Sequence, residues 1–153
     1  LFLTFFIMAP TFTNIYELVA IPYMNGEIQT PDALDKASKE IKSFMVINTR
    51  ETDLSMFAEI SGGQQFYSKE EIPFSIALPA FITSELKTAF QIGFLLFLPF
   101  LVIDMVVASV LMSLGMMMLS PMLIALPFKI LLFVLVDGWS MTVGSLVSTY
   151  ITK

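Results

Sequence analysis

Two apolar runs govern what this chain can become. From Ala89 to Leu119 the only strongly polar residues are Gln91 and Asp104, and from Pro121 to Val136 the only one is Lys129. A membrane span needs about 20 apolar residues, so both runs qualify once their lone charges are sheltered. Hydrophobic residues make up 56% of the 153 and mean hydropathy is +0.82, against the roughly 45–50% apolar content of a soluble domain. The class implied is an integral membrane protein, all-α, with a long helical hairpin and a small helical insert.

Composition removes several chemistries. There is no cysteine, hence no disulfide or thiolate metal site. There is no histidine, which takes away the commonest metal ligand and general base. Residues 13–71 hold ten acids and five bases, while residues 72–153 hold three of each. That acidic polar region argues against nucleic acid or an anionic lipid surface as its partner. Without a Lys and Arg cluster, the positive-inside rule does not orient the spans.

Three segments are expected. Residues 1–10 look like the trailing end of a transmembrane helix, with neither the basic start nor the cleavage site of a signal peptide. Residues 11–72 form a polar insert, and residues 73–153 the hydrophobic hairpin. In the insert, Thr30-Pro31-Asp32 combines a hydroxyl cap, an early proline and a first-turn acid. A stripe of Leu34, Ala37, Ile41 and Phe44 then runs along one helix face. A second helix is expected from Thr52 or Asp53 to Ile60, ended by Gly62-Gly63.

Pro73 and Pro79 punctuate the return to the membrane, so the first arm is expected to start at Glu85, capped by Thr83 or Ser84, and to run to about Met118. Its roughly 50 Å exceeds the bilayer core of about 30 Å, and Pro99 is the expected bend. The second arm is expected from Pro121 to about Tyr150. Counted from a turn at residue 120, Asp104 and Asp137 are level, and Lys129 stands about 10 Å short of Asp104. The hairpin charges, with Glu85 and Lys87 at its entrance, are then expected to find partners on another segment, another subunit or a water-filled interior.

At the tip, Gly115-Met116-Met117-Met118 precedes Ser120-Pro121. Methionine is flexible and polarizable. A set of them from several subunits closes an apolar constriction, and equally well fills gaps at a turn. Gly115 and Pro121 are the natural hinge of that tip. Two level aspartates also match the bare requirement of an intramembrane aspartyl protease using Asp104 and Asp137. However, Ile103-Asp104-Met105 and Val136-Asp137-Gly138-Trp139 lack the local motifs of those enzymes.

The run Pro79-Ala80-Phe81-Ile82-Thr83-Ser84-Glu85-Leu86-Lys87-Thr88-Ala89-Phe90-Gln91-Ile92-Gly93-Phe94 closely resembles the signature of the FliP family of flagellar export-gate membrane proteins. The likeness continues through Leu98-Pro99-Phe100-Leu101-Val102-Ile103-Asp104, Gly115 to Met118, Leu126-Pro127-Phe128-Lys129 and Val136 to Trp139, and takes in Phe2-Leu3-Thr4-Phe5-Phe6 and Thr49-Arg50-Glu51. This resemblance implies a core, non-enzymatic subunit of the type III export apparatus in the bacterial inner membrane, within the flagellar basal body. It implies a ring of five copies joined by FliQ and FliR and by other export-apparatus membrane proteins, with unfolded flagellar proteins passing through the centre. Met116, Met117 and Met118 would then line the gate as a gasket, and the insert would lie outside the cytoplasm. No cofactor or metal comes with the family motif. The homologous subunit of a virulence type III secretion system, an injectisome, is the alternative reading.

Overall fold

Apolar sequence with good helix formers makes one kind of element here. The computed structural model describes residues 1–63, 66, 68 and 71–151, and it is helical throughout, with no strand among the described residues. It divides into two compact units: residues 1–87 with 150–153, and residues 88–149.

In the first unit, α1 (Phe2–Ile15) runs through a π-helical stretch, Tyr16–Ala20, into α2 (Ile21–Met24). The whole stretch Phe2–Met24 is 23 residues, long and apolar enough to cross a membrane. Pro10 lies inside α1 and does not end it. Gly26, at φ 75, turns the chain after α2.

Helix α3 (Thr30–Asn48) has its N-cap at Gln29, one residue before the expected Thr30, with Pro31 and Asp32 in its first turn. Helix α4 (Glu51–Ile60) follows an extended Thr49-Arg50 link. The apolar stripe expected on α3 is only half used. Leu34 is 67% exposed and Ile41 is also exposed, and the core instead takes Met45 and Val46 with Leu54, Ile72, Ile76, Ala77 and Ala80.

That core explains why α5 (Phe74–Ser113) starts eleven residues before the expected Glu85. The N–H groups of Ile76 and Ala77 both donate to the Pro73 carbonyl at 3.0 Å, starting the helix at once. Pro79, in the second turn, removes one backbone bond, and burial of Ile76, Ala77 and Ala80 offsets that loss. At 40 residues, α5 is about 60 Å long.

In the second unit, α5 stops at Ser113, five residues short of the expected end. Gly115, at φ 73, takes the left-handed conformation that ends helices. Its N–H donates to the Met112 carbonyl at 3.1 Å, and the Met116 N–H donates to the Leu111 carbonyl at 2.9 Å. These are the paired 5→2 and 6→1 bonds of a Schellman turn.

After the tip, α6 (Pro121–Leu135) begins with Ser120 at the N-cap and proline in the first turn. The second arm is not one helix to Tyr150. It breaks at Val136-Asp137, where Asp137 has φ 52, and resumes as α7 (Gly138–Ile151) at a bend of 61°. Together α6 and α7 are long and apolar enough for a broken span or a re-entrant loop.

Candidate functional site

The position of each helix end decides which charges meet. Asp104 lies nine residues before the end of α5 at Ser113, and Lys129 eight after the start of α6 at Pro121. The two are therefore level across the hairpin, and Lys129 Nζ bonds Asp104 Oδ2 at 2.6 Å. This overturns the expected misalignment. The count from residue 120 treated residues 114–120 as helix, whereas they form the tip. The charge register alone therefore no longer calls for a partner outside the hairpin. Asp104 Oδ1 is buried without a hydrogen-bond partner among the described residues, so Lys129 alone compensates this carboxylate.

The same correction separates the two aspartates. Asp137 lies sixteen residues from Pro121, past the end of α6, and about 12 Å further along the arm than Lys129 by helix rise. A carboxylate already paired to an ammonium and a distant second one do not share a proton. The aspartyl-protease arrangement is absent.

Around the break, Phe133 is the organising side chain. Its ring packs edge-on to Trp139 at 5.3 Å and tilted against Phe100 at 6.4 Å. The ring also lies over Gly138, where an added Cβ would fall 2.3 Å from a ring carbon. Nearer the tip, an apolar pocket of about 460 Å³ opens between Val102, Val106 and Val110 of α5 and Ile124 and Phe128 of α6. Its lining carries no polar side chain.

The methionines stand at the far end of the hairpin. Met116 is 45%, Met117 80% and Met118 100% exposed, so in a single chain they fill no core. Gly115 turns the chain into them, and Pro121 starts the helix that leads away.

In the first unit, one turn of α5 holds three neighbours. Ser84 is fully buried, and its hydroxyl accepts the Arg50 N–H at 3.2 Å. Lys87 pairs with Asp53 of α4. Glu85 accepts the Tyr150 hydroxyl, and the Tyr150 ring stacks on Phe44 with centroids 6.2 Å apart. Glu85 and Lys87, expected as charges awaiting other segments or subunits, thus have partners within their own chain.

Asp53 is 1% exposed and its Oδ2 lacks a hydrogen-bond partner among the described residues. Sequence reasoning placed Asp53 at a helix start and did not single it out, and it missed Tyr150 altogether. The one signal for Asp53 is its place next to Leu54 in the first turn, on the side of α4 that becomes buried.

The sequence model of the FliP family matches residues 1–146. The flagellar biosynthetic protein FliP of Cereibacter sphaeroides is 60% identical over 150 residues, which is 98% of this chain and 50% of that protein. Its namesake in Bacillus subtilis (strain 168) is 56% identical over 150 residues, covering 98% of this chain and 68% of that protein. That of Caulobacter vibrioides is 51% identical over 150 residues, or 98% and 56%. The chain spans about half to two thirds of the length of these relatives.

Proposed function

The chain belongs to the FliP family, and from that membership we propose that it is the pore-forming core part of a subunit of the flagellar type III protein export gate. Its role is passage of unfolded flagellar proteins across the inner membrane, not catalysis. The single observation that carries the proposal is a family match running from residue 1 to residue 146, which takes in both arms of the hairpin and its tip.

The geometry supports a gate at that tip. Three methionines beyond a hydrogen-bonded helix end are flexible and apolar, and Met117 and Met118 are largely uncovered by their own chain. Copies arranged around an axis bring these tips together into an apolar constriction, which excludes water and ions until a polypeptide displaces it. Gly115 and Pro121 are the hinge of each tip. Residues 25–72, after the candidate span Phe2–Met24, form the extracytoplasmic insert, and residues 73–153 the gate core. The assembly is a homopentamer with FliQ and FliR in the inner membrane of the flagellar basal body, and other export-apparatus membrane proteins surround it.

The test is ion conductance of the assembled full-length protein. Replacing Met116, Met117 and Met118 with alanine leaves the complex assembled and makes the closed pore leak small ions. Unchanged conductance in an assembled complex removes the gasket. Subunit stoichiometry and partner content of the purified complex check the assembly independently.

A further inference from the structure

The chain has eleven methionines, and they differ widely in exposure. Met45 is 4% exposed in the helical core of the first unit. Met117 and Met118 are 80% and 100% exposed on the connection between α5 and α6, with Met116 beside them at 45%. Thioether oxidation follows accessibility, and it converts a flexible apolar side chain into a polar one. A seal that works by excluding water depends on its lining staying apolar. Met24, Met105, Met112, Met122 and Met141 are also exposed, but on the helices of candidate spans, where lipid covers them; Met117 and Met118 are the two most exposed thioethers, and they lie outside any helix.

We infer that Met116, Met117 and Met118 are an oxidation site at which peroxide-class oxidants open the closed gate and sulfoxide reduction closes it again. The inference rests on the gasket proposed above. In the step itself, the thioether sulfur donates a lone pair to one oxygen of hydrogen peroxide as the O–O bond breaks. Sulfur becomes the sulfoxide, and the remaining oxygen leaves as water. The new S–O group is a strong hydrogen-bond acceptor placed where the constriction needs a dry surface. Several copies around the axis multiply its effect. Leucine at the same three positions keeps the apolar bulk and offers no sulfur to oxidise.

The experiment uses the full-length protein assembled with its partners in native membrane vesicles, treated with hydrogen peroxide. Peptide mass spectrometry is expected to find one added oxygen on Met117 and Met118 about tenfold faster than on Met45. Ion leak rises in step, and the two methionine sulfoxide reductases, one for each sulfoxide epimer, acting together on the treated vesicles restore the seal. The variant with leucine at all three positions stays tight before and after peroxide. Oxidation at the tip no faster than at Met45 overturns the inference. So does tip sulfoxide without leak, or a leak that the reductases do not reverse. Should the leucine variant fail to assemble, the reductase arm on the native protein still decides. An alanine variant that stays tight without any oxidant removes the gasket itself, a separate outcome from every peroxide arm.

Discussion

Two lysines in this chain matter mainly through the carboxylates they leave behind. Lys87 is half-exposed, but Asp53 beneath it is 1% exposed and has an oxygen without a partner. Removing one member of a buried ion pair costs more than the pair contributes, because the remaining charge stays desolvated. Lys87→Ala is therefore expected to lower stability by about 3 kcal/mol, while Lys87→Ala combined with Asp53→Leu recovers more than half of that loss. Thermal unfolding of the full-length protein in detergent checks both; a single variant as stable as the native protein would refute the argument. Lys129→Met, which leaves Asp104 alone between the arms, acts in the same direction. Both variants are expected to unfold below the native midpoint.

At the scale of the helices, breaks and ends decide the geometry. Asp137 holds φ 52, a left-handed conformation that glycine, asparagine and aspartate tolerate and β-branched residues do not. Asp137→Gly and Asp137→Asn are expected to keep the bend, and Asp137→Val to destabilise the second arm by about 1–2 kcal/mol. Gly138→Ala drives a methyl into the Phe133 ring and is expected to cost about 1–3 kcal/mol. Stability equal to native in either destabilising variant would show that the arm does not depend on this break. Much of this was legible in the residues. Pro121 after Ser120 marked a helix start and Gly62-Gly63 a stop. What misled was the count from residue 120, which carried helix through residues 114–120, whereas Gly115 caps α5 and the turn begins there. Reading that glycine as a cap moves the turn's centre and aligns Asp104 with Lys129. The early start of α5 was hidden for a different reason. Local rules treat Pro79 as a boundary, and only the long-range burial of Ile76, Ala77 and Ala80 outweighs it.

For the molecule as a whole, the membrane has to supply what packing does not. Candidate spans Phe2–Met24 and Phe74–Ser113 have only 11% and 6% of their most apolar windows buried by the protein. Phe90, Phe94, Leu95 and Phe97 all stand exposed along α5. Such a surface in water exceeds anything a soluble monomer tolerates, and lipid or neighbouring membrane helices must cover it. The sequence runs showed this directly, because hydropathy needs no knowledge of contacts. Residues 74–87 of α5 belong to the first unit, and Ser84, Glu85 and Lys87, which pair within that unit, set them off from the apolar run that follows. Residues 88–113 then provide about 39 Å of helix, enough to cross a core of about 30 Å with some tilt. These 153 residues contain no cysteine, so single introduced thiols measure this boundary once any cysteine elsewhere in the full-length protein is replaced. A cysteine at Leu95 in the full-length protein is expected to resist a water-soluble maleimide in intact membranes and to react once detergent is added. A cysteine at Ser38, exposed on α3, is expected to react from the aqueous side without detergent. Labelling of the Leu95 site in sealed membranes would place that turn of α5 in water and remove residues 88–113 as a span.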